Sequence, residues 1–222
     1  MQGKNRTTEI YESIRGEILD GLKRPRARLR MDLLSETFGA SFGAVREALV
    51  RLTTEGLVVS EPPKGFSVAP ISFGDLDDLT ETRLELEYRC LCLSIERGDL
   101  PWEGRVVGSL HQLLRTPLHS RPESLNATWA QAHRSFHDAL VSACDSRWRL
   151  ALREQLFTQA ERYRRFAMPY QHARRDVDAE HRAIAEAALA RNANRATELI
   201  TCHLRRTAEM LRGSEAPSTT LN

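Results

Sequence analysis

Residues 29–69, LRMDLLSETFGASFGAVREALVRLTTEGLVVSEPPKGFSVA, decide how the front of this chain folds. Leu33, Leu34 and Phe38 make a brief apolar stripe, and Gly39 stands where a helix should stop. Ser41 follows as an N-cap, its hydroxyl placed to accept an otherwise unpaired amide of the next helix. Val45, Ala48, Leu49 and Leu52 then recur at i, i+3, i+4 and i+7, the buried face of a second helix. Gly43, Arg46, Glu47 and Val50 fall on the opposite face. Gly56 ends that helix, residues 57–60 and 66–69 read as strands, and PPKG between them makes a wing. The layout is a winged helix-turn-helix, whose second helix fits the DNA major groove with its N-terminal residues nearest the bases. Ser41, Phe42, Gly43 and Arg46 are the expected contacts on that helix, with Lys64 and Gly65 on the wing.

Upstream, Ile10, Ile14 and Ile18 mark one stripe of a first helix. Between it and the quoted stretch, Lys23, Arg24, Arg26, Arg28 and Arg30 fall within eight positions with no acid among them. The formal net charge of +2 arises wholly in residues 1–70, which hold 11 Lys+Arg against 9 Asp+Glu; residues 71–222 hold 21 of each. A basic run beside a helix-turn-helix lies where phosphate contacts are useful, so Arg24, Arg26, Arg28 and Arg30 join the expected DNA-binding set.

With 222 residues the chain can build two small domains, each with its own core. No apolar run approaches the length of a bilayer span and no signal-peptide pattern opens the chain, which points to a cytoplasmic protein with no membrane partner. Cys90, Cys92, Cys144 and Cys202 show no paired CxxC spacing and read as reduced thiols. Asn126–Thr128 matches a glycosylation acceptor by chance.

From Ile71 the pattern changes to helices, expected at 75–98, 103–115, 122–143, 146–168, 176–191 and 194–212, with a loop over 167–175. The expected fold class is mainly α: a winged helix-turn-helix over 1–70, then an all-α antiparallel helical bundle over 71–213. Residues 214–222 lack apolar pattern and are expected to be disordered.

Four of the seven histidines stand out. His133 and His137 are four apart and project from one helix face. His181 and His203 lie about equally far from the connector at 192–193, so antiparallel helices bring them to nearly one height. Three helices can thus converge four imidazoles, a donor set that suits zinc, nickel, copper or iron. The bland alternative is ordinary hydrogen-bonded histidines; their grouping favours a metal.

IYESIRGEIL, LLSETFG, VREALVRLTTEGLV and the KGFSV wing, followed by ETRLELE, HRSFHDAL, EHRAIAEAAL and HLRR, make the chain resemble a GntR-type transcriptional regulator. The resemblance is to the FadR-like branch, which carries an FCD-type helical ligand domain. It covers almost the whole chain. It departs at Ser41-Phe42-Gly43-Ala44, where family members carry Ser-Arg-Thr-Pro, so the family's usual operator does not carry over. The resemblance implies metal ligation at His137, His181 and His203; His133 occupies a position where the family has aspartate, which favours a later transition metal, zinc or nickel.

Arg83 lies on a stripe with Leu76, Leu79, Leu86, Cys90 and Leu93. A buried arginine needs an anion, either an internal acid such as Glu87 or the carboxylate of a bound effector; the effector is favoured. A second stripe, Leu84, Tyr88, Leu91 and Ile95, covers a different face of the same helix, and a helix apolar on two faces suggests one for the bundle and the other for a partner subunit. The expectation is a homodimeric, ligand-responsive regulator, by family habit a repressor, that reads a roughly palindromic double-stranded operator and senses a small carboxylate. Effector binding is expected to shift helices 75–98 and 122–143. No general base accompanies the histidines and Glu180–His181 is not HExxH, which argues against a metal-dependent enzyme tethered to DNA. An architectural DNA-binding dimer without effector is the other alternative.

Overall fold

The computed structural model describes residues 6–121, 124–167 and 175–212. Helix α1 (Arg6–Leu19) buries Ile10, Ile14 and Ile18 against the helix-turn-helix. Helix α2 (Met31–Phe38) ends at Gly39, whose φ of 55° is a left-handed conformation that most side chains resist. Helix α3 (Phe42–Thr54) starts at Ser41, whose hydroxyl accepts from the Ala44 amide at 3.2 Å. It buries Val45, Ala48, Leu49 and Leu52, the stripe expected from spacing.

Strands β2 (Val58–Glu61) and β3 (Gly65–Val68) form the wing, in register Val59↔Ser67 and Ser60↔Phe66. Gly65 turns the chain between them with φ 86°. A third strand, β1 (Arg28–Leu29), pairs with the far side of β3 and gives the order β1-β3-β2. The basic run is therefore partly a strand. Its register alternates, with Leu29 in the core and Arg28 exposed.

Six helices follow: α4 (Phe73–Arg97), α5 (Leu100–Arg115), α6 (Ala127–Val141), α7 (Arg147–Ala167), α8 (Val177–Leu189) and α9 (Ala193–Arg212). Helix α5 starts three residues before its expected position, because Asp99 caps the Trp102 amide at 2.9 Å and Pro101 sits in the first turn, where it is tolerated. Helix α6 starts later than 122. Strands β4 (His119–Arg121) and β5 (Ser124–Leu125) form a hairpin there, and Asn126 caps the helix by accepting from Thr128 at 2.9 Å. The same Asn126 donates to the Pro117 carbonyl at 3.0 Å, which gives that side chain a structural role in place of the glycosylation motif.

The helical core is built on Trp102, Phe136, Leu140, Leu91, Leu113 and Ile184. Leu84, Leu91 and Ile95 of the second α4 stripe belong to that core, which makes it the bundle-facing one; only Tyr88 of the four is exposed. The four cysteines are free thiols. The expected loop interior at 168–174 and the tail at 214–222 lie outside the described residues.

Helix α7 joins the two halves. Gln159 donates to the Glu55 carbonyl at the end of α3, and Arg162 donates to the carbonyls of Ala69 and Pro70. Tyr163 accepts from the Ser72 amide at 3.1 Å, and Arg165 pairs with Asp20. A small apolar cluster, Ile71, Leu76, Tyr163 and Leu211, fills the space beneath.

Candidate functional site

The outer face of α3 presents Ser41, Phe42, Gly43 and Arg46 together. Phe42 is 57% exposed, so it does not pack against α2 and stands available to a partner. Arg26, Arg28, Lys64 and Gly65 line one shallow groove on the wing sheet, beside Val59 and Ser67. Lys64 makes an exposed ion pair with Glu61 at 3.3 Å, and Arg30 pairs with its neighbour Asp32. Both pairs are solvated and worth little, so phosphate can displace them. Arg24 is exposed and lies outside the groove. The sequence-derived basic set thus divides between the wing groove and the approach to α2.

The four histidines do converge. His133 and His137 from α6, His181 from α8 and His203 from α9 are all buried, and their potential ligand atoms lie within 4.8 Å of one another. His133 Nε2 and His137 Nε2 are 3.1 Å apart. Two imidazole nitrogens on one zinc, each at ~2.0–2.1 Å, stand roughly that far apart.

His181 supplies the sharpest test of fit. Both of its ring nitrogens are buried with no hydrogen-bond partner, as is His133 Nδ1. Orphaned buried polar atoms are costly, and a metal ion is a partner that removes the cost. His203 is already oriented: its Nδ1 lies 2.8 Å from Glu180 Oε2, which fixes the N–H on Nδ1 and leaves the Nε2 lone pair for the centre. Glu180 is in turn held by Arg175 and Arg206, and Arg175 together with His203 keeps its carboxyl below the usual range despite burial.

Burial pushes the pKa values of His133, His137 and His181 well below the ordinary histidine value, and the neighbouring imidazoles push them further. His203 is also lowered by burial, with Glu180 opposing. The rings are therefore held neutral, the form that coordinates metal.

A cavity of about 130 Å³ opens beside His133 and His203 and is bounded by Arg83, Glu161, Arg164 and Arg175. Arg83 is buried, with Nε and Nη2 each 3.4 Å from Glu87 Oε1. The internal acid anticipated from sequence is present, yet its other oxygen serves Arg153 at 2.9 Å, and Arg83 keeps only long bonds. Sequence reasoning missed Glu161 and Arg164. They pair at 2.7 Å one helical turn apart, and Arg164 lies over the Trp129 ring with its Nη1 buried and unpartnered. The available signal was position, since both follow Phe157 on the one inward stripe of α7.

Two family models account for these halves: "Bacterial regulatory proteins, gntR family" matches residues 6–68, and "FCD domain" matches residues 78–206. The chain belongs to the GntR family. It is a GntR-family transcriptional regulator with an FCD domain, and the family's members are regulators, not enzymes. It is 38% identical over 209 residues to the HTH-type transcriptional regulator BphR of Paraburkholderia xenovorans (strain LB400), covering 91% of this chain and 83% of that one. It is 34% identical to the HTH-type transcriptional repressor GlaR of Escherichia coli (strain K12) over 198 residues, 87% of this chain and 90% of that one. The GntR architecture also matches the solved structure of E. coli McbR/YncC, with a TM-score of 0.75 at 20% identity over 95% of this chain and 98% of that one.

Proposed function

We propose that this regulator is a cytoplasmic homodimeric repressor that releases a roughly palindromic operator when its helical domain takes up a small carboxylate at a metal site. The observation that carries the reading is His181, a fully buried imidazole with two unpartnered nitrogens inside a four-histidine cluster that borders a cavity. FCD domains often bind metals, and His133, His137, His181 and His203 would hold a zinc or nickel ion. When bound, that ion supplies positive charge at the cavity wall. Arg83 and Arg164 add the donors that orient a carboxylate there, the planar guanidinium being suited to a two-oxygen grip.

Arg46, Ser41, Phe42 and Gly43 would face base edges and backbone in the major groove, with Arg24, Arg26, Arg28, Arg30, Lys64 and Gly65 on phosphate. Repression is supported by the name of the repressor GlaR. Dimerisation is supported by apolar side chains left exposed: Tyr88 on α4 and Leu152 on α7, each one residue from the Glu87–Arg153 pair that joins the helices, and Trp148 about one turn from Leu152. A cytoplasmic location is supported in that, among the described residues, no helix is long and apolar enough to cross a membrane.

The sequence points to α4 and α6 as the moving helices. The interdomain hydrogen bonds favour α7 instead, because Glu161 and Arg164 bound the cavity while Gln159 and Arg162 hold the DNA-binding half. A tenfold change in operator affinity needs only ~1.4 kcal/mol of difference in effector binding between the two arrangements.

The deciding experiment is elemental analysis of untagged protein purified without chelator, beside a His137→Ala, His181→Ala double variant. About one transition-metal ion per chain, lost in the variant, is expected. Metal-free wild-type protein that still responds to an acid on its operator would remove the metal from the mechanism.

A further inference from the structure

The cavity changes character along its length. Helices α4 and α9 run antiparallel, a direction set by the pairs Arg205–Glu81 at 3.2 Å and Arg212–Asp77. Down the α4 wall the lining passes from Arg83 through Thr80 to Leu79 and Leu76. Down the α9 wall it passes from His203 through Thr207 to Ala208 and Leu211. Both walls turn from polar to apolar in the same direction, over ~10–12 Å at ~1.5 Å per residue.

Among the described residues, and apart from the exposed His119 of β4, every ionisable lining side chain is tied to the histidine end. Arg175 donates to the His203 carbonyl at 2.8 Å. Arg164 is bonded to Glu161, whose carboxylate lies 3.9 Å from His133 Nδ1. Arg83 carries a charge interaction with the same Glu161. Among the described residues, the donors left for a ligand are those of Arg83, whose bonds are long, and Nη1 of Arg164, which has none. That suffices for one carboxylate. A second carboxylate at the far end would be desolvated between leucines with nothing to pair with.

Resting on the effector reading above, we propose that the ligand is a monocarboxylic acid with a compact apolar tail. Its carboxylate meets Arg83 and Arg164, and its tail lies against Leu76, Leu79, Ala208 and Leu211. The cavity of about 130 Å³ limits the tail's size. A protein cavity of ~150 Å³ holds benzene, so the acid as a whole, carboxylate included, stays close to that size.

The test is calorimetric titration of the full-length, metal-loaded protein with acetate, butyrate, hexanoate and adipate. Affinity should rise roughly fourfold per methylene from acetate to hexanoate. Adipate, which is hexanoate with a second carboxylate, should bind at least ~100-fold more weakly than hexanoate. Ala208→Leu should weaken hexanoate by about tenfold and leave acetate unchanged, because it fills the tail region alone. Adipate binding as tightly as hexanoate, or a series flat from acetate upward, would overturn the apolar-tail assignment and leave the effector site standing. Failure of all four acids to bind would instead remove the carboxylate site itself.

Discussion

Replacing His181 with leucine should stabilise the metal-free protein and destabilise the metal-loaded one. A neutral imidazole carries one N–H and one lone pair, and at His181 neither has a partner although the side chain is fully buried. Each such group costs about 1–3 kcal/mol relative to a satisfied or absent one. Leucine has a similar volume and suits the surrounding Phe136 and Ile184, so the repacking penalty stays under ~1.5 kcal/mol. Taking both groups at the low end of that range, ~2 kcal/mol together, and subtracting the repacking penalty leaves a gain of about 0.5–2 kcal/mol, which at ~2–4 °C per kcal/mol raises Tm by roughly 1–8 °C. With metal present the order inverts. An ion at a thousandfold excess over its Kd contributes ~4 kcal/mol to the wild type, and a hundredfold weaker site loses ~2.7 kcal/mol of that. Scanning calorimetry of both proteins, once in chelator and once with one equivalent of zinc or nickel, reads the two effects separately. A leucine variant less stable than wild type in chelator would show that the imidazole is hydrogen-bonded in solution and belongs to an ordinary core. Equal metal-induced shifts in the two proteins would show that His181 is not a ligand.

Arg46→Ala should weaken binding to the specific operator by about 1–3 kcal/mol while barely changing affinity for random DNA; equal loss on both sequences in a filter or anisotropy assay would reassign Arg46 to a phosphate. Acidification should destabilise the metal-free protein. Folding holds the four histidines below their ordinary value, so the unfolded chain takes up protons first as pH falls through ~6.5 and stability declines from there toward the lowered values. The slope can reach ~1.4 kcal/mol per pH unit for each histidine that stays neutral in the fold, and a flat denaturation midpoint between pH 7 and pH 5 would contradict it. Metal should leave over the same range, since protons compete for the same nitrogens; dialysis at graded pH followed by elemental analysis measures that release.

What the sequence made legible was local or periodic. Ser41, Gly39 and the Val45–Leu52 stripe act within one or two helical turns, so the helix-turn-helix could be read residue by residue. The histidine convergence was readable because His181 and His203 straddle a short connector, which turns sequence distance into height. Strand β1 was not readable: it is two residues long and exists only because Arg28 and Leu29 meet Ser67 and Phe66 across the sheet. The β4–β5 hairpin was mistaken for the start of a helix because its strands are equally short and lack alternation. The buried charge on α7 was the larger omission. Arg153, Glu161, Arg162 and Arg164 look like the solvated face of a polar helix, yet each is at most 6% exposed. Spacing from Phe157 places Glu161 and Arg164 on an inward stripe, but the partners from α4, α6 and the domain connection that make buried charge tolerable are announced by no pattern within α7.

The grip of α7 on the DNA-binding half falls largely on main-chain oxygens: those of Glu55, Ala69 and Pro70. A carbonyl is the same acceptor whatever side chain its residue carries. Substitutions on the outer face of α3, Phe42 and Gly43 among them, can therefore change which operator is read while those bonds stay intact. In evolutionary terms, the sensor is attached to the reader by a coupling blind to the reader's surface sequence, so the two specificities can drift independently.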